Sequence, residues 1–371
     1  MLVNNYLNYI GSKDRYLPQI LKFIEAGANK TGGSLLVDLF CGSAVVGANS
    51  ANYFNKVYCI DACKEVITLH EWMKSGKSSD TLLNEIDNII KEYELSKTNK
   101  EGYLRLREAY NANIREDFIE PSELYCLITH SYNYSLHTNK KGEFNVPFGA
   151  NRSSFNKSLK KKFTNWKEHL DNNHNVFFFW NGFDNFDLPT TKSVFFVDPP
   201  YSASISKHPY RVGNIKWGDD EDKKLLKLLD EFHSNGHLFV FTNVVSNNGV
   251  LNRTLFNWIE VNKGKYFEHP VSVEYKNCSY QRKNNGRTNE VIITNFTING
   301  EKMKYLTFTR VVDVGALQPK HLPIDVMASA LAYITPTNDG KGTILGITDG
   351  TKHLLVEDYE EVRAMISVFH A

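Results

Sequence analysis

The sequence predicts a doubly wound α/β fold with a mixed sheet, interrupted by a mostly helical insertion and followed by a small β-rich module. Three observations carry this. Short continuous apolar runs recur at 34–38, 56–60, 176–179, 194–197, 237–242 and 290–296, as in a sheet covered on both faces. Leu35 to Gly47 reads as strand, tight loop and helix start, the crevice where such folds bind nucleotides. Residues 77–170 hold helical patterns such as Leu82, Leu83, Ile86, Ile89 and Ile90, and no long apolar strand. With 371 residues, 42% hydrophobic and 13% aromatic, the chain exceeds one ordinary domain and has ample material for a packed core.

At the amino terminus, Asn8-Tyr9-Ile10-Gly11-Ser12-Lys13 precedes a helix pattern with Ile20, Leu21 and Ile24 on one side. Gly11 permits close backbone approach, Tyr9 offers a face for packing, and Lys13 can reach a carboxylate or a DNA atom; an ordinary polar loop is the plainer alternative. The strand–loop–helix that follows lacks the G-x-G-x-x-G spacing of a dinucleotide site. It carries Asp38 at the strand end, with Phe40 and Gly42 in the loop. An acid there repels a pyrophosphate and suits the ammonium of the amino-acid part of S-adenosylmethionine. About twenty residues on, a second strand ends in Asp61, where these folds place the acid that binds a ribose.

After the insertion, the strand 176–179 leads to Gly182-Phe183-Asp184, and the strand 194–197 empties into Asp198-Pro199-Pro200-Tyr201. The prolines fix φ and remove two backbone donors, so the carbonyls there and the Asp198 carboxylate are acceptors with few local competitors. A primary amine on a flat heterocycle would find two acceptors, and Tyr201 a stacking face for the ring. Accepting both N–H bonds turns the amine towards tetrahedral geometry and frees its lone pair to attack an electrophilic methyl. The plainer alternative is a strand terminus with a Pro-Pro turn. Leu225, Leu226, Leu228, Leu229 and Phe232 then have helical spacing. Residues 303–371 alternate short strands with the turns Asn338-Asp339-Gly340 and Asp349-Gly350, and close on a helix pattern at Val362, Met365, Ile366 and Phe369.

Taken in order, Tyr9-x-Gly11-x-Lys13, Asp38-x-Phe40-x-Gly42 and Asp198-Pro199-Pro200-Tyr201 resemble the motifs of the Dam-type DNA adenine-N6 methyltransferases, the D12 class in its alpha arrangement. The likeness extends to Gly142-Glu143-Phe144-Asn145-Val146-Pro147-Phe148-Gly149, similar to the segment that closes that family's target-reading hairpin. Tyr93 to Thr98, Leu104 to Glu108 and Trp217 to Asp222 are similar to its bacteriophage members. The resemblance covers about residues 5–296. It implies the Rossmann-like fold of S-adenosylmethionine-dependent methyltransferases. It further implies S-adenosylmethionine as cofactor, double-stranded DNA as partner, and methyl transfer to the N6 amine of a flipped adenine in a short site such as GATC or another GAT-containing sequence.

Carried over position by position, the resemblance assigns Asp198, Pro199, Pro200 and Tyr201 to the adenine. The cofactor pocket receives Tyr9, Lys13, Asp38, Phe40, Gly42, Asp61, Phe183 and Asp184, with Asp187 three residues away as a competing acid. Tyr132 and Asn133 match a wedge and its polar neighbour at the extruded base, and Asn139 and Pro147 match the hairpin that touches base edges. Where relatives carry an arginine that grips guanine with two donors, this chain has His137, which offers one donor when neutral. Reading then passes to a neighbour such as Lys140 or Lys141, or the recognised sequence differs. By the same resemblance residues 1–70 and 171–300 form the catalytic domain and 71–170 the target-recognition domain, while the shift in sequence character after Asn299-Gly300 sets off 301–371 as an accessory β-rich module.

The formal net charge of +1 means that any grip on phosphate must come from local patches: Lys140-Lys141 with Arg152, Lys160-Lys161-Lys162, and the run 281–287. Cys41, Cys59, Cys63, Cys126 and Cys278, without paired metal spacing, read as reduced structural thiols, and no metal is expected. There is no charged-then-apolar leader and no membrane-length apolar window, so a cytoplasmic protein is expected, monomeric or weakly dimeric. Two alternatives stand beside the enzyme: a catalytically silent DNA-binding protein of the same fold, and a cytosine-N4 methyltransferase, since the cytosine amine suits the same acceptors. Methylation of RNA or of a protein glutamine amide needs a similar pocket but leaves the hairpin without a task.

Overall fold

The computed structural model describes residues 2–7, 11–113, 119–201, 211–212, 215–247, 250–271, 288–298, 305–312, 320–327, 331–337, 343–347, 352–355, 359–360 and 362–363. Tyr9, Cys278, the basic run 281–287, the two C-terminal turns, and Met365, Ile366 and Phe369 of the final helix pattern lie outside the described residues. The chain forms two compact units, residues 1–296 and 297–371.

The first unit begins with α1 (Leu17–Thr31), which carries Pro18 in its first turn, where the missing N–H is harmless. It ends at Gly32, whose φ of 71° closes the helix in the left-handed conformation. Gly33 follows at φ 65°, and a Cβ there would lie 2.6 Å from the Tyr53 carbonyl oxygen, so only glycine fits. Then come β1 (Leu35–Asp38), α2 (Val45–Asn49), β2 (Lys56–Asp61) and α3 (Lys64–Met73). Four helices fill the next hundred residues: α4 (Ser79–Glu92), α5 (Lys100–Asn113), α6 (Pro121–His130) and α7 (Lys157–Asn172). The chain returns through β3 (Val176–Trp180), β4 (Val194–Val197), the short pair β5 (Arg211–Val212) and β6 (Ile215–Lys216), and α8 (Asp219–Ser234). It finishes with β7 (Leu238–Asn247), β8 (Val250–Leu251), α9 (Arg253–Val261), β9 (Phe267–Pro270) and β10 (Thr288–Thr294).

The sheet order is β3-β2-β1-β4-β7-β10-β9, with β8 paired to β7. From β3 to β7 all pairings are parallel, and β10 is antiparallel to both β7 and β9. This is a mixed doubly wound sheet, whose strands the apolar runs marked and whose type, that of the S-adenosylmethionine-dependent methyltransferases, the resemblance implied. All six anticipated strands are present, whereas β8 and β9 were not foreseen: Phe267-Glu268-His269-Pro270 carries neither an apolar run nor a clean alternation.

Both faces of the central strands are covered, whereas edge strand β3 leaves Phe177, Phe179 and Trp180 exposed. Phe195 and Val197 of β4 point into a cluster with Leu225, Leu229 and Phe232 of α8 and with Leu255 and Ile259 of α9. Phe195 stacks on Phe232 at 3.8 Å between ring centres, and truncating either to alanine would destabilise by about 3–5 kcal/mol. On the opposite face α1 packs against β4 and β7. Gly27 lets it come close, since a Cβ there would lie 3.0 Å from the Val194 side chain. The helices α4 to α7 belong to the same compact unit as the sheet. An aromatic cluster of Tyr6, Trp72, Tyr125, Phe163 and Trp166 joins the amino-terminal segment and α3 to α6 and α7, and the Tyr125 hydroxyl donates to the Tyr6 carbonyl at 3.2 Å.

The second unit is a five-stranded sheet of order β12-β11-β15-β14-β13, made of β11 (Tyr305–Val312), β12 (Lys320–Met327), β13 (Leu331–Pro336), β14 (Thr343–Ile347) and β15 (Lys352–Leu355). Its described pairings are all antiparallel.

Candidate active site and cofactor crevice

The sheet order reverses between β1 and β4, and in open α/β sheets ligands bind beyond the carboxyl ends of the strands at such a switch point. Asp38 closes β1 and Asp198 follows β4, so the two acids anticipated from sequence meet at one edge. Asp38 is only 1% exposed. Its Oδ2 accepts the Gly47 N–H at 2.9 Å, while Oδ1 is buried without a hydrogen-bond partner among the described residues. Burial, reinforced by the neighbouring Asp198 and Asp61 charges and opposed by the Gly47 N–H, raises its pKa to about 8. A lone buried acceptor of this kind suits an arriving ammonium group.

The loop after β1 is held from several sides. Leu39 N–H donates to the Phe196 carbonyl and Cys41 N–H to that of Ile60, both at 2.9 Å. Gly42 adopts φ 46° and donates its N–H to Asp61 Oδ2 at 2.9 Å. The other Asp61 oxygen accepts Cys63 N–H at 2.8 Å. Burial raises the Asp61 pKa, and the N–H groups of Cys63, Gly42 and Ala62 oppose that rise. Below the loop His70 contacts the Gly42 carbonyl through Nε2 at 2.8 Å and stacks on Phe178, and burial lowers its pKa to about 4. A neutral imidazole therefore braces the glycine turn, a role that sequence reading missed.

Phe40 and Phe183 lie 5.4 Å apart between ring centres, and each also packs on Trp217. These partly buried rings offer an aromatic wall for a purine. Asp184 is exposed beside Phe183, and Asp187 is exposed three residues on.

At the second acid the geometry is denser. Thr242 and Tyr201 both direct hydroxyls to Asp198 Oδ1 at 2.7 Å. Lys13 Nζ lies 2.7 Å from Asp198 Oδ2 and 5.0 Å from the centre of the Tyr201 ring. Glu290 stands on the far side, its Oε1 at 3.0 Å from the Tyr201 hydroxyl and 3.9 Å from Lys13 Nζ. Burial and the two neighbouring carboxylates raise the Tyr201 pKa. Sequence reading missed Thr242 and Glu290. Both left a signal: Thr242-Asn243 interrupts an apolar run, and Glu290 is the one charged residue within Thr288–Thr294.

The residues anticipated for base reading gather on a hairpin held by α5. Tyr103 donates to the Val146 carbonyl at 2.8 Å, and Asn111 bonds Phe144 twice, at 2.8 and 3.0 Å. Bridges pair Thr138 with Phe144 and Ser131 with Phe148. At the tip Gly142 takes φ 81°, with Lys140 and Lys141 exposed. Asn139 spends its side chain on the turn, accepting from Lys141 and Glu143 N–H and donating to the Glu143 carboxylate. His137 is exposed and bonds Asn145 across the hairpin at 2.6 Å. Tyr132 is 48% exposed, with the Arg152 guanidinium 5.4 Å over its ring. Asn133 beside it has φ 57°, and Pro147 is exposed, its carbonyl accepting Tyr132 N–H at 2.8 Å. Among the described residues no group of three His, Cys, Asp or Glu side chains could hold a metal ion, and no helix is long and apolar enough to cross a membrane.

A Rossmann-like sheet with an acid-lined crevice at its switch point and a strand-end D-P-P-Y defines the S-adenosylmethionine-dependent methyltransferases acting on an amine. The chain belongs to the D12 class N6 adenine-specific DNA methyltransferase family, whose model matches residues 9–285. The family's cofactor is S-adenosylmethionine. Similar curated proteins are the type II methyltransferase M.FokI of Planomicrobium okeanokoites, 34% identical over 80% of this chain and 43% of its own length, and the modification methylase StsI of Streptococcus sanguinis, 32% identical over 79% and 43%. The expected kinship with bacteriophage enzymes is more distant: the DNA N-6-adenine-methyltransferase of Escherichia phage P1 is 22% identical over 63% of this chain and 29% of its own. The chain thus spans less than half the length of these relatives.

Proposed function

We propose that this protein transfers a methyl group from S-adenosylmethionine to the N6 amine of an adenine rotated out of duplex DNA, as a modification methylase of a restriction–modification system. The observation that carries the reading is the Asp198 carboxylate at the switch point, fixed by Thr242, Tyr201 and Lys13 beside the crevice that Asp38 and Asp61 line.

When bound, the cofactor supplies an electrophilic methyl on a sulfonium, a good leaving group. The chain's own residues do the rest. Asp38 Oδ1 would hold the cofactor ammonium, Asp61 the ribose hydroxyls, and the wall of Phe40 and Phe183 one face of its adenine, with Asp184 or Asp187 at the rim. The family resemblance assigns Tyr9 and Lys13 to the same pocket. Asp198 and the Pro199 carbonyl accept the two N6 hydrogens of the target base, which frees the nitrogen lone pair. Pro200 stiffens the turn, and Tyr201 stacks on the base. No strong base is required, because the proton passes to water after the carbon–nitrogen bond has formed and the carbon–sulfur bond has broken. Rate enhancement comes from position and preorganised polar groups.

Residues 71–170 serve target recognition. Tyr132 wedges into the stack beside Asn133, Lys140, Lys141 and Arg152 meet phosphates, and His137 and Pro147 face base edges. Asn139 acts indirectly, by shaping the turn. The recognised site is short and GAT-containing, GATC being the simplest case, and His137 is the residue that would alter it.

The test is expression in a host lacking adenine methylation, with single-molecule sequencing of plasmid DNA beside an Asp198→Ala control. N6-methyladenine in one short motif, absent from the control, is expected. Unmodified DNA from a folded, cofactor-binding protein would refute the reading and favour a silent DNA-binding role.

A further inference from the structure

We propose that Glu290 positions Tyr201 and Lys13 around Asp198 for methyl transfer, an inference that rests on the function proposed above. Glu290 lies outside residues 9–285 that the family model matches, and its role is argued from its own contacts in this chain. The topology brings it to the site. Because β10 runs antiparallel between β7 and β9, its first residues emerge at the sheet edge where β4 and β7 finish. A bulge then aims it. Asn289 pairs with Ser246 but Glu290 with Val244, so Val245 is the extra residue on β7, and such bulges redirect side chains next to functional sites.

The carboxylate so placed is only 10% exposed and gathers three groups. The Tyr201 hydroxyl lies 3.0 Å away, Lys13 Nζ lies 3.9 Å away, and the Tyr16 hydroxyl also bonds it. Burial, opposed by Lys13, raises the Glu290 pKa. Tyr201 has one phenolic proton and faces two carboxylates. Thr242 already donates to Asp198 Oδ1, so the phenol can donate to Glu290, which pins the ring that stacks on the base. The second negative charge also draws on Lys13. With Glu290 ionised, Lys13 is shared and Asp198 keeps acceptor strength for the adenine amine. Without it, Lys13 neutralises Asp198 alone.

Glu290→Gln keeps an acceptor and removes the charge, while Glu290→Asp keeps the charge at shorter reach. Steady-state methylation of plasmid DNA, together with calorimetric titration of each protein with S-adenosylmethionine, tests the proposal. Glu290→Gln is expected to lower kcat roughly ten- to a hundredfold, the scale of an ångström-level misplacement, with cofactor Kd unchanged. Glu290→Asp should fall between Gln and wild type. In a Tyr201→Phe background Glu290→Gln should lower kcat by a smaller factor, because the linking hydroxyl is gone; a purely structural glutamate would give factors that multiply. Wild-type kcat in Glu290→Gln, or multiplying factors, overturns the proposal. If Glu290→Gln does not fold, Glu290→Asp decides: reduced kcat with intact cofactor binding supports it, and wild-type kcat overturns it. An inactive wild-type protein would refute the underlying function and this role with it.

Discussion

Lys13 and Asp198, 185 residues apart in sequence, meet at 2.7 Å with side chains only 7% and 15% exposed. The pair fastens the amino-terminal loop to the end of β4. Removing one member leaves the other charge buried, and such losses run to about 3–5 kcal/mol. The Thr242 hydroxyl still bonds Asp198, so Lys13→Met should fall at the low end. Urea melts of Lys13→Met, Asp198→Asn and the double variant are expected to show the double variant less destabilised than Lys13→Met alone. Additive losses would mean that the pair is not energetically coupled.

Asp38 predicts a proton linkage. Its folded pKa of about 8 lies above the ordinary 3.8, so the folded protein prefers the protonated acid. The resulting stabilisation is complete below about pH 4 and is lost as pH rises through about 8. An ammonium beside Oδ1 reverses the preference. Cofactor binding at pH 6 to 7 should therefore release a proton from Asp38, and affinity should rise across that window. Calorimetry in two buffers of different ionisation heat measures the release, which Asp38→Asn should abolish.

Gly47 predicts a steric effect on the same acid. A Cβ at this position would lie 2.5 Å from Cys59 Sγ and 2.9 Å from Asp38 Oδ2. Gly47→Ala should displace Asp38 and destabilise the fold by about 1–3 kcal/mol, as overpacked sites do. Cofactor affinity should fall with it, and Cys59→Ala in the same chain should restore part of both. Unchanged affinity in Gly47→Ala would separate Asp38 from cofactor binding.

The hairpin separates support from reading. Asn111→Ala removes both side-chain bonds to the Phe144 backbone, and leaving such groups unpaired costs about 1–3 kcal/mol. DNA KM should rise for every sequence, with kcat and motif little altered. His137→Ala should instead relax preference at one position of the motif, with a base-edge contact worth about 1–3 kcal/mol of discrimination. Methylation profiles over a randomised target library distinguish the two, and an unaltered motif in His137→Ala would place the reading elsewhere.

Much of this organisation was legible in the chain itself. The six apolar runs became strands because the inner strands of a sheet bury nearly all their side chains, so hydrophobic content marks their position, and the polar residues inside β7 and β10, Thr242 and Glu290, belong to the site. The strand-end acids Asp38, Asp61 and Asp198 could be assigned to one sheet edge because parallel strands deliver all their carboxyl ends to the same side. Short β9, with Glu268 and His269 in four residues, had no such signature.

Contacts across the sequence were decided only by the tertiary structure. Glu290 reaches Tyr201 from 89 residues away because β10 runs antiparallel and a bulge at Val245 turns its side chain. Likewise His70 braces Gly42, and Asn111 holds Phe144, through helices whose periodicity shows a buried face without naming its partner. Local pattern fixes which residues leave water; strand order, direction and register fix what they then touch.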